Sequence, residues 1–502
     1  MGAKFLGGLA ARAIALVVFG VFTAGTGLWA DTTQADQRIV GDWNGALKAG
    51  GASLRIVFHI AASGSGYSAT MDSPDQGAKG IPVSSAQFDG EHVALSVTAI
   101  GGSYSGTLES GGMSIAGSWK QSGMAFELNL TKTQQGQALT PSSPAQPAAE
   151  QQTPSGTASS ALFTTRDIVF DSTASGVRLA GTLTLPMGAG PFPAVILVTG
   201  SGPQNRDEEI LGHKPFLVIA DYLAQRGIAS LRWDDRGVAA STGNFQTATT
   251  FDFADDALSA LDALAAQTGI DDRQLGVVGH SEGGLIASIL GARSAARVQG
   301  PKLAFIVMLA GPGVPGNQLL LMQNAALARA SGMSEEQISQ AHALNSELYD
   351  IAMSAGEPSV LRARIVDVLN RAIDGATGLT QAQKDAERAN VPAQADSMLS
   401  PWVRTFLSLD PAEYLRQTTV PVLALDGTKD LQVPATENLA AIKAALASGG
   451  NTSVTTIDFE GLNHLFQHAT TGLPSEYGAI QEDFAPEVLK AMGDWILKVV
   501  GR

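Results

Sequence analysis

The chain of 502 residues contains no cysteine. That removes disulfides, thiol catalysis, lipid attachment through an N-terminal cysteine and Cys-ligated metal sites together. Basic residues are few: 32 Lys and Arg stand against 47 Asp and Glu, giving a formal charge of -15. A chain of that sign is no partner for nucleic acid. His-Glu-x-x-His and comparable metal-ligand spacings are also missing. Long apolar runs are absent except for one. Residues 1–12 carry Lys4 and Arg12 with no acid, residues 13–23 are almost wholly apolar, and Leu28-Trp29-Ala30 precedes Asp31. This reads as a signal peptide over residues 1–30, cleaved after Ala30. It predicts an exported protein, periplasmic or secreted, with no stable membrane insertion after cleavage. An uncleaved anchor is the alternative, for which the apolar core is short.

What is present divides the chain. At this length two or three domains, each with its own core, are expected. Residues 31–132 lack helix signals and show short alternating runs at 54–60, 67–71, 92–97, 103–108, 113–119 and 125–130, separated by Gly, Asn and Asp. Roughly eight short antiparallel strands in a small all-β barrel or sandwich is the economical reading. His59 and His92 lie in strand-like runs and read as satisfied polar positions, Trp43 and Trp119 as core. Residues 133–160 are Gln, Pro, Ser, Thr and Ala with almost no bulky apolar side chain, so they cannot bury a core and read as a linker. From 161 to 502 the pattern alternates strand and helix, which predicts an α/β domain with a mostly parallel sheet flanked by helices. Sites in such sheets lie at the carboxyl ends of the strands. Between about 316 and 416 the alternation gives way to helix-spaced Leu, Ala, Met and Ile. That stretch predicts a helical cap inserted over the site, or helices packed away from it.

The chemistry is concentrated at Gly279-His280-Ser281-Glu282-Gly283. It follows the apolar run Leu275–Val278 and precedes Gly284 and an apolar helix. This is the Gly-x-Ser-x-Gly pattern of a nucleophile elbow, a tight strand-to-helix turn that lifts the serine above the sheet edge. Gly279 and Gly283 flank it because a Cβ collides in so tight a turn. The same turn sets Ser281 at a helix N-terminus, where the free N–H of Glu282 can face a developing oxyanion.

A serine hydroxyl needs a base to take its proton and a carboxylate to orient that base. On folds with this elbow the chain order is serine, acid, histidine. The last two strands are followed by Asp426-Gly427-Thr428-Lys429-Asp430 and by Glu460-Gly461-Leu462-Asn463-His464. Asp430, in the loop beyond its strand, is the acid, with Asp426 the weaker candidate. His464 is the base, and His468 falls on a surface turn further along. The second oxyanion donor belongs in the loop of residues 199–209. We assign it to the Ser201 N–H, with Gly202 as runner-up. A glycine-rich phosphate cradle does not fit this loop, which lacks Gly-Lys-Ser/Thr and a helix directly after the glycines. Asp234-Asp235-Arg236 reads as a structural ion pair.

Together these residues resemble the α/β-hydrolase superfamily across residues 161–502, and within it the EstD-like bacterial serine esterases, often labelled by similarity to serine aminopeptidases. The resemblance is carried by Gly200-Ser201-Gly202-Pro203-Gln204-Asn205-Arg206-Asp207-Glu208, Asp234-Asp235-Arg236-Gly237, Gly279–Gly284, Lys429-Asp430-Leu431-Gln432-Val433-Pro434 and Leu462-Asn463-His464-Leu465-Phe466. It implies Ser281, Asp430 and His464 as a triad, hydrolysis without cofactor or metal, and carboxylesterase activity on a small-molecule ester, commonly with a short acyl chain. Thr199-Gly200 stands where the superfamily has His-Gly, which leaves the second donor open. Two rivals stay open at this level. An exopeptidase would need a carboxylate aimed at the substrate amine, for which the cap offers Glu335, Glu336 and Glu347. An exported binding protein would use the β domain for capture and the hydrolase fold as scaffold.

Overall fold

The computed structural model describes residues 36–133, with short breaks, and 163–502. The stretch read as a signal peptide (1–30) and nearly all of the stretch read as a linker (133–160) lie outside the described residues. The chain divides into two compact units, one within residues 22–161 and one including 162–502.

The first unit is one antiparallel sheet of ten strands: β1 Gly41–Ala49, β2 Ala52–Ser63, β3 Gly66–Ser73, β4 Ala78–Val83, β5 Ser85–Phe88, β6 His92–Val97, β7 Gly102–Leu108, β8 Ser114–Gln121, β9 Met124–Glu127 and β10 Leu130–Lys132. Their order is β4-β3-β2-β1-β10-β8-β7-β6-β5, with β9 paired to β8. Because β3 lies against β5 and β4 against β6, the sheet nearly closes on itself. It is a barrel, then, and not a sandwich. Its interior is filled by Trp43, Phe58, Tyr104 and Trp119 with aliphatic side chains. The expectation of about eight strands falls short because β1, β4 and β5 have weak signals: β1 carries only two large apolar side chains, and β4 contains Gly80 and Pro82. His59 is held by Asp42 at 2.7 Å and Asp72 at 3.3 Å, on the two neighbouring strands.

The second unit begins with the hairpin β11 Phe163–Asp171 and β12 Arg178–Pro186. Then come β13 Phe192–Val198, α1 Pro215–Gln225, β14 Ala229–Trp233, α2 Thr250–Ala265, β15 Ile270–His280, α3 Glu282–Ala296 and β16 Leu303–Leu309. Six helices follow in succession: α4 Gly316–Ala330, α5 Glu335–Met353, α6 Pro358–Gly375, α7 Gln381–Met398, α8 Pro401–Ser408 and α9 Pro411–Leu415. Alternation resumes with β17 Val422–Gly427, α10 Ala435–Ser448, β18 Val454–Phe459 and α11 Pro486–Val499. The strand order is β11-β12-β14-β13-β15-β16-β17-β18, parallel from β14 onward.

Burial explains this layout. β14, β16 and β17 are buried along nearly their whole length, as strands covered on both faces must be. One face packs against α2, α3, α10 and the inserted helices, the other against α1 and α11. The insertion shares the core of its face: Leu348, Ile365, Leu369 and Phe406 belong to the same buried cluster as Val277 and Ile306. Pro358, Pro401 and Pro411 start α6, α8 and α9, where a missing N–H costs nothing. No described helix is long and apolar enough to cross a membrane.

Candidate active site

The buried run Leu275–Val278 carries β15 to its end at His280, and α3 starts at Glu282. The turn between them is Ser281 alone, with φ 53° and ψ -120°. A non-glycine residue there is strained, and such strain persists only where the surroundings impose it. Here they do. The Ser281 N–H donates to the Leu309 carbonyl at 2.9 Å. A Cβ on Gly279 would sit 2.0 Å from the Gly283 carbonyl oxygen, and one on Gly283 would sit 2.1 Å from that of Val198. Positive φ recurs at Glu208 (51°), Ala310 (47°) and Phe466 (56°), each on a loop beside the elbow.

The loops after β17 and β18 bring two further residues together. His464 Nδ1 lies 2.6 Å from Asp430 Oδ2, and both side chains are buried. The other carboxylate oxygen of Asp430 accepts the N–H groups of Gln432 (2.7 Å) and Val433 (2.9 Å), which fixes its plane. Ser281 adjoins His280, whose ring centre is 4.8 Å from that of His464. Asp426, the alternative acid, is fully buried at the strand end and accepts the Gly427 N–H. Burial and the neighbouring Asp430 charge push its pKa far above the usual carboxylate range. His468 is exposed and paired with Glu482 and Glu487.

The loop of residues 199–209 is bracketed by the strand end after β14. Asp235 accepts the Thr199 hydroxyl (3.0 Å) and the Gln204 N–H (2.9 Å). Asp234 takes Arg206 in a two-pronged pair and also accepts its backbone N–H. Arg236 turns away to Asp252 and Asp256. The ion-pair reading of this tripeptide therefore fits Asp234 and Arg236 but misses Asp235, a buried carboxyl with no cation. Burial drives its pKa well up, and the Glu282 and Glu208 charges add to that. Glu208 Oε1 accepts the Gly200 N–H at 2.7 Å. Gly200 is thereby spent, and Ser201 and Gly202 are the next N–H groups along the loop. Gly200 packs beside the nucleophile candidate, its would-be Cβ 3.2 Å from Ser281 Cβ.

Glu282 does more than its backbone predicts. Its carboxyl is buried and accepts Thr250 Oγ1 (2.7 Å) and Trp402 Nε1 (2.8 Å). Burial pushes its pKa up to about 7, with the two hydrogen bonds opposing the rise. Trp402 lies on α8, so the inserted helices reach the elbow and stand over it. A small cavity beside it is lined by Gly200, Gly202, Trp233, Asp235, Phe253 and Glu282. Glu335 and Glu347, the cap acids named above, are exposed and paired with Arg329 and Arg371. Among the described residues, no group of three or more His, Asp and Glu side chains is placed to hold a metal ion. Sequence reasoning missed the side chains of His280, Glu208, Glu282 and Trp402. Only a charged residue in the glycine-rich loop and a histidine inside the elbow motif could have signalled the first two.

Strand order, elbow and the two loops at the strand ends define an α/β-hydrolase fold. Residues 214–395 match the family described as serine aminopeptidase, S33. The chain is 27% identical to esterase EstD of Thermotoga maritima over 298 residues, which is 59% of each protein's length. Among solved structures, Est1E of Butyrivibrio proteoclasticus with bound ferulic acid aligns at 17% identity with a TM-score of 0.40, over 67% of this chain and all of that one. A Pyrococcus furiosus esterase aligns at 14% and 0.38, over 67% and 91%.

Proposed function

We propose that this protein is a carboxylesterase-type serine hydrolase that cleaves short-chain carboxylic esters through an acyl-enzyme on Ser281. One observation carries the reading: a buried histidine bonded at 2.6 Å to a carboxylate whose second oxygen is tied down, its ring centre 4.8 Å from that of His280, the residue before a serine held in a strained strand-to-helix turn. Likeness to EstD, an esterase by name, supports the same class.

In this mechanism Asp430 orients His464 through Nδ1 so that Nε2 serves as general base toward Ser281. Oγ attacks the ester carbonyl, and the N–H groups of Glu282 and Ser201, or Gly202 beside it, stabilise the tetrahedral oxyanion. His464 then protonates the leaving alcohol, and water, activated by the same imidazole, releases the acid. The cap helices bound the acyl pocket, and the N-terminal segment exports the enzyme.

The test is labelling of the full chain by a fluorophosphonate, located by peptide mass, beside turnover of p-nitrophenyl acetate, butyrate and octanoate. Label on Ser281, lost together with turnover in Ser281→Ala, is the expected result. Turnover that survives Ser281→Ala would refute it. An amino-acyl anilide cleaved faster than the esters would move the activity to a peptidase, and a folded protein with neither label nor turnover would leave the binding-scaffold reading.

A further inference from the structure

His280 lies inside the elbow motif, is 4% exposed and has both ring nitrogens engaged. Nδ1 is 2.9 Å from Glu208 Oε1, and Nε2 is 2.9 Å from the backbone carbonyl oxygen of His464. The peptide carbonyl only accepts, so Nε2 carries a hydrogen. The hydrogen between Nδ1 and Oε1 is shared with a carboxyl that also accepts the Gly200 N–H and whose other oxygen has no partner; on the more basic imidazole it makes the ring a cation. A neutral imidazole donates from one nitrogen only, whereas the cation donates from both. We propose that His280 is held as an imidazolium by Glu208, and that this ion pair is a positioning device that ties the oxyanion loop, through Gly200, to the loop carrying His464, across Ser281.

The inference rests on the function proposed above and adds a residue to it. It links three segments that the chemistry needs in register: Gly200 at the head of the oxyanion loop, His280 one residue before the nucleophile, and the backbone of the base itself. Glu208 keeps φ at 51°, in the left-handed region a glutamate rarely adopts, and that conformation points its carboxyl back under its own loop. Burial by itself drives the His280 pKa down; the Glu208 charge and hydrogen bond, with the His464 carbonyl and the Asp430 charge, reverse this and hold it above the ordinary histidine value. The charged and titratable groups around it are Glu208 on the glycine-rich loop and Asp430 and His464 on the loops after β17 and β18. Asp235 stands close enough for its titration to feel Glu208. The Phe466 ring edge covers another side of the imidazole.

The decisive measurement is made on the unaltered protein. In full-length enzyme with 15N-labelled histidine, the ring whose signals vanish in His280→Asn should show two exchange-protected N–H groups at neutral pH; that variant tells it apart from His213, whose ring also meets a carboxylate, Asp483, and a carbonyl, that of Tyr477. A neutron structure of the wild type reads the same two hydrogens should that variant not fold. Glu208→Gln keeps an acceptor for Gly200 but removes the countercharge. Per labelled active site, it should lower kcat on the order of 10²-fold, the effect of misplacing reacting groups by about an ångström. KM should move by no more than about threefold, and the alkaline limb of the kcat profile should shift to lower pH. A packing role alone would leave that limb in place. A single N–H on His280 with normal fluorophosphonate labelling would overturn this inference and spare the esterase reading. Two N–H signals in a protein that neither labels nor turns over ester would do the reverse.

Discussion

Glu282 gives a prediction whose size can be worked out from its surroundings. Its carboxyl is buried beside the nucleophile candidate, and its pKa stands near 7 against an ordinary 4.5. Between those two values the folded protein holds a proton that the unfolded chain has released. Stability must therefore fall as pH rises through that window and stay lowered above it. At about 1.4 kcal/mol per pH unit the gap corresponds to about 3 kcal/mol. Glu282→Gln keeps an oxygen to accept Thr250 Oγ1 and Trp402 Nε1, but it has nothing to ionise. The variant and the wild type should melt together at pH 4.5. By pH 8 the variant should be ahead by about 3 kcal/mol. For a unit of roughly 340 residues, with an unfolding entropy near 2.1 cal/mol/K per residue, that is about 4 °C in melting temperature. Asp235 and Asp426 are buried acids of the same sign and also pull stability down with rising pH. Asp426 is common to both proteins and cancels in the difference; Asp235 feels the Glu282 charge, so its own proton is held less firmly in the variant, which adds to the gap above the window in the same direction. Paired melts by calorimetry or near-ultraviolet circular dichroism from pH 4.5 to 9 are the assay. A gap that stays constant across that range would refute the assignment of a buried, proton-holding carboxyl at position 282.

Three further outcomes follow from the same geometry. Asp430→Asn should lower kcat by about 10⁴-fold, because the imidazole loses the carboxylate that fixes its tautomer, whereas Asp426→Asn, at a carboxyl already neutral, should cost less than about tenfold; equal losses in steady-state ester kinetics would reverse the choice of acid. Gly283→Ala drives a Cβ to 2.1 Å from the Val198 carbonyl oxygen, so it should cost about 3 kcal/mol or more in denaturant melts and abolish fluorophosphonate labelling; wild-type stability would deny the close approach. Trp402→Phe removes one donor from Glu282 and should cost about 1 kcal/mol. It should also raise the pH at which the gap to Glu282→Gln levels off, because that hydrogen bond lowers the Glu282 pKa in the folded protein, and an unmoved plateau would separate the cap from the elbow.

The parts of this molecule legible in the sequence are those whose signal is local or ordered along the chain. Strand-helix alternation after residue 161 needs only periodicity, and β16 and α11 fall on the residues that their apolar patterns pick out. The elbow is a five-residue pattern. Asp430 and His464 are reached by chain order, though only 34 residues apart and each just past a strand. By contrast, His280 meets Glu208 across 72 residues and Glu282 meets Trp402 across 120. Neither contact has a periodic signature, because each joins a loop or helix to a strand end through one polar atom. The weak strands of the barrel were illegible for another reason: β1 and β4 take their place from cross-strand partners, and their own composition says little. Asp235 was misjudged because a carboxylate beside an arginine in sequence suggests a pair, while the turn sends Asp235 and Arg236 in opposite directions.

Five of the six inserted helices, α4–α8, leave the body of the domain and return to it at nearly one point. The Gly316 N–H donates to the Leu409 carbonyl at 2.9 Å, and a side chain at Gly316 would collide with the Phe406 carbonyl, only 1.9 Å from its Cβ position. Such a pinched neck makes the cap an interchangeable cartridge. A replacement segment would have to close the same backbone hydrogen bond, cover the apolar sheet face that Leu348, Ile365, Leu369 and Phe406 now bury, and supply Glu282 with a donor in place of Trp402. A chain built this way can change what covers its site by recombination at two glycine- and leucine-marked positions, with Trp402 the contact through which the elbow would feel the change.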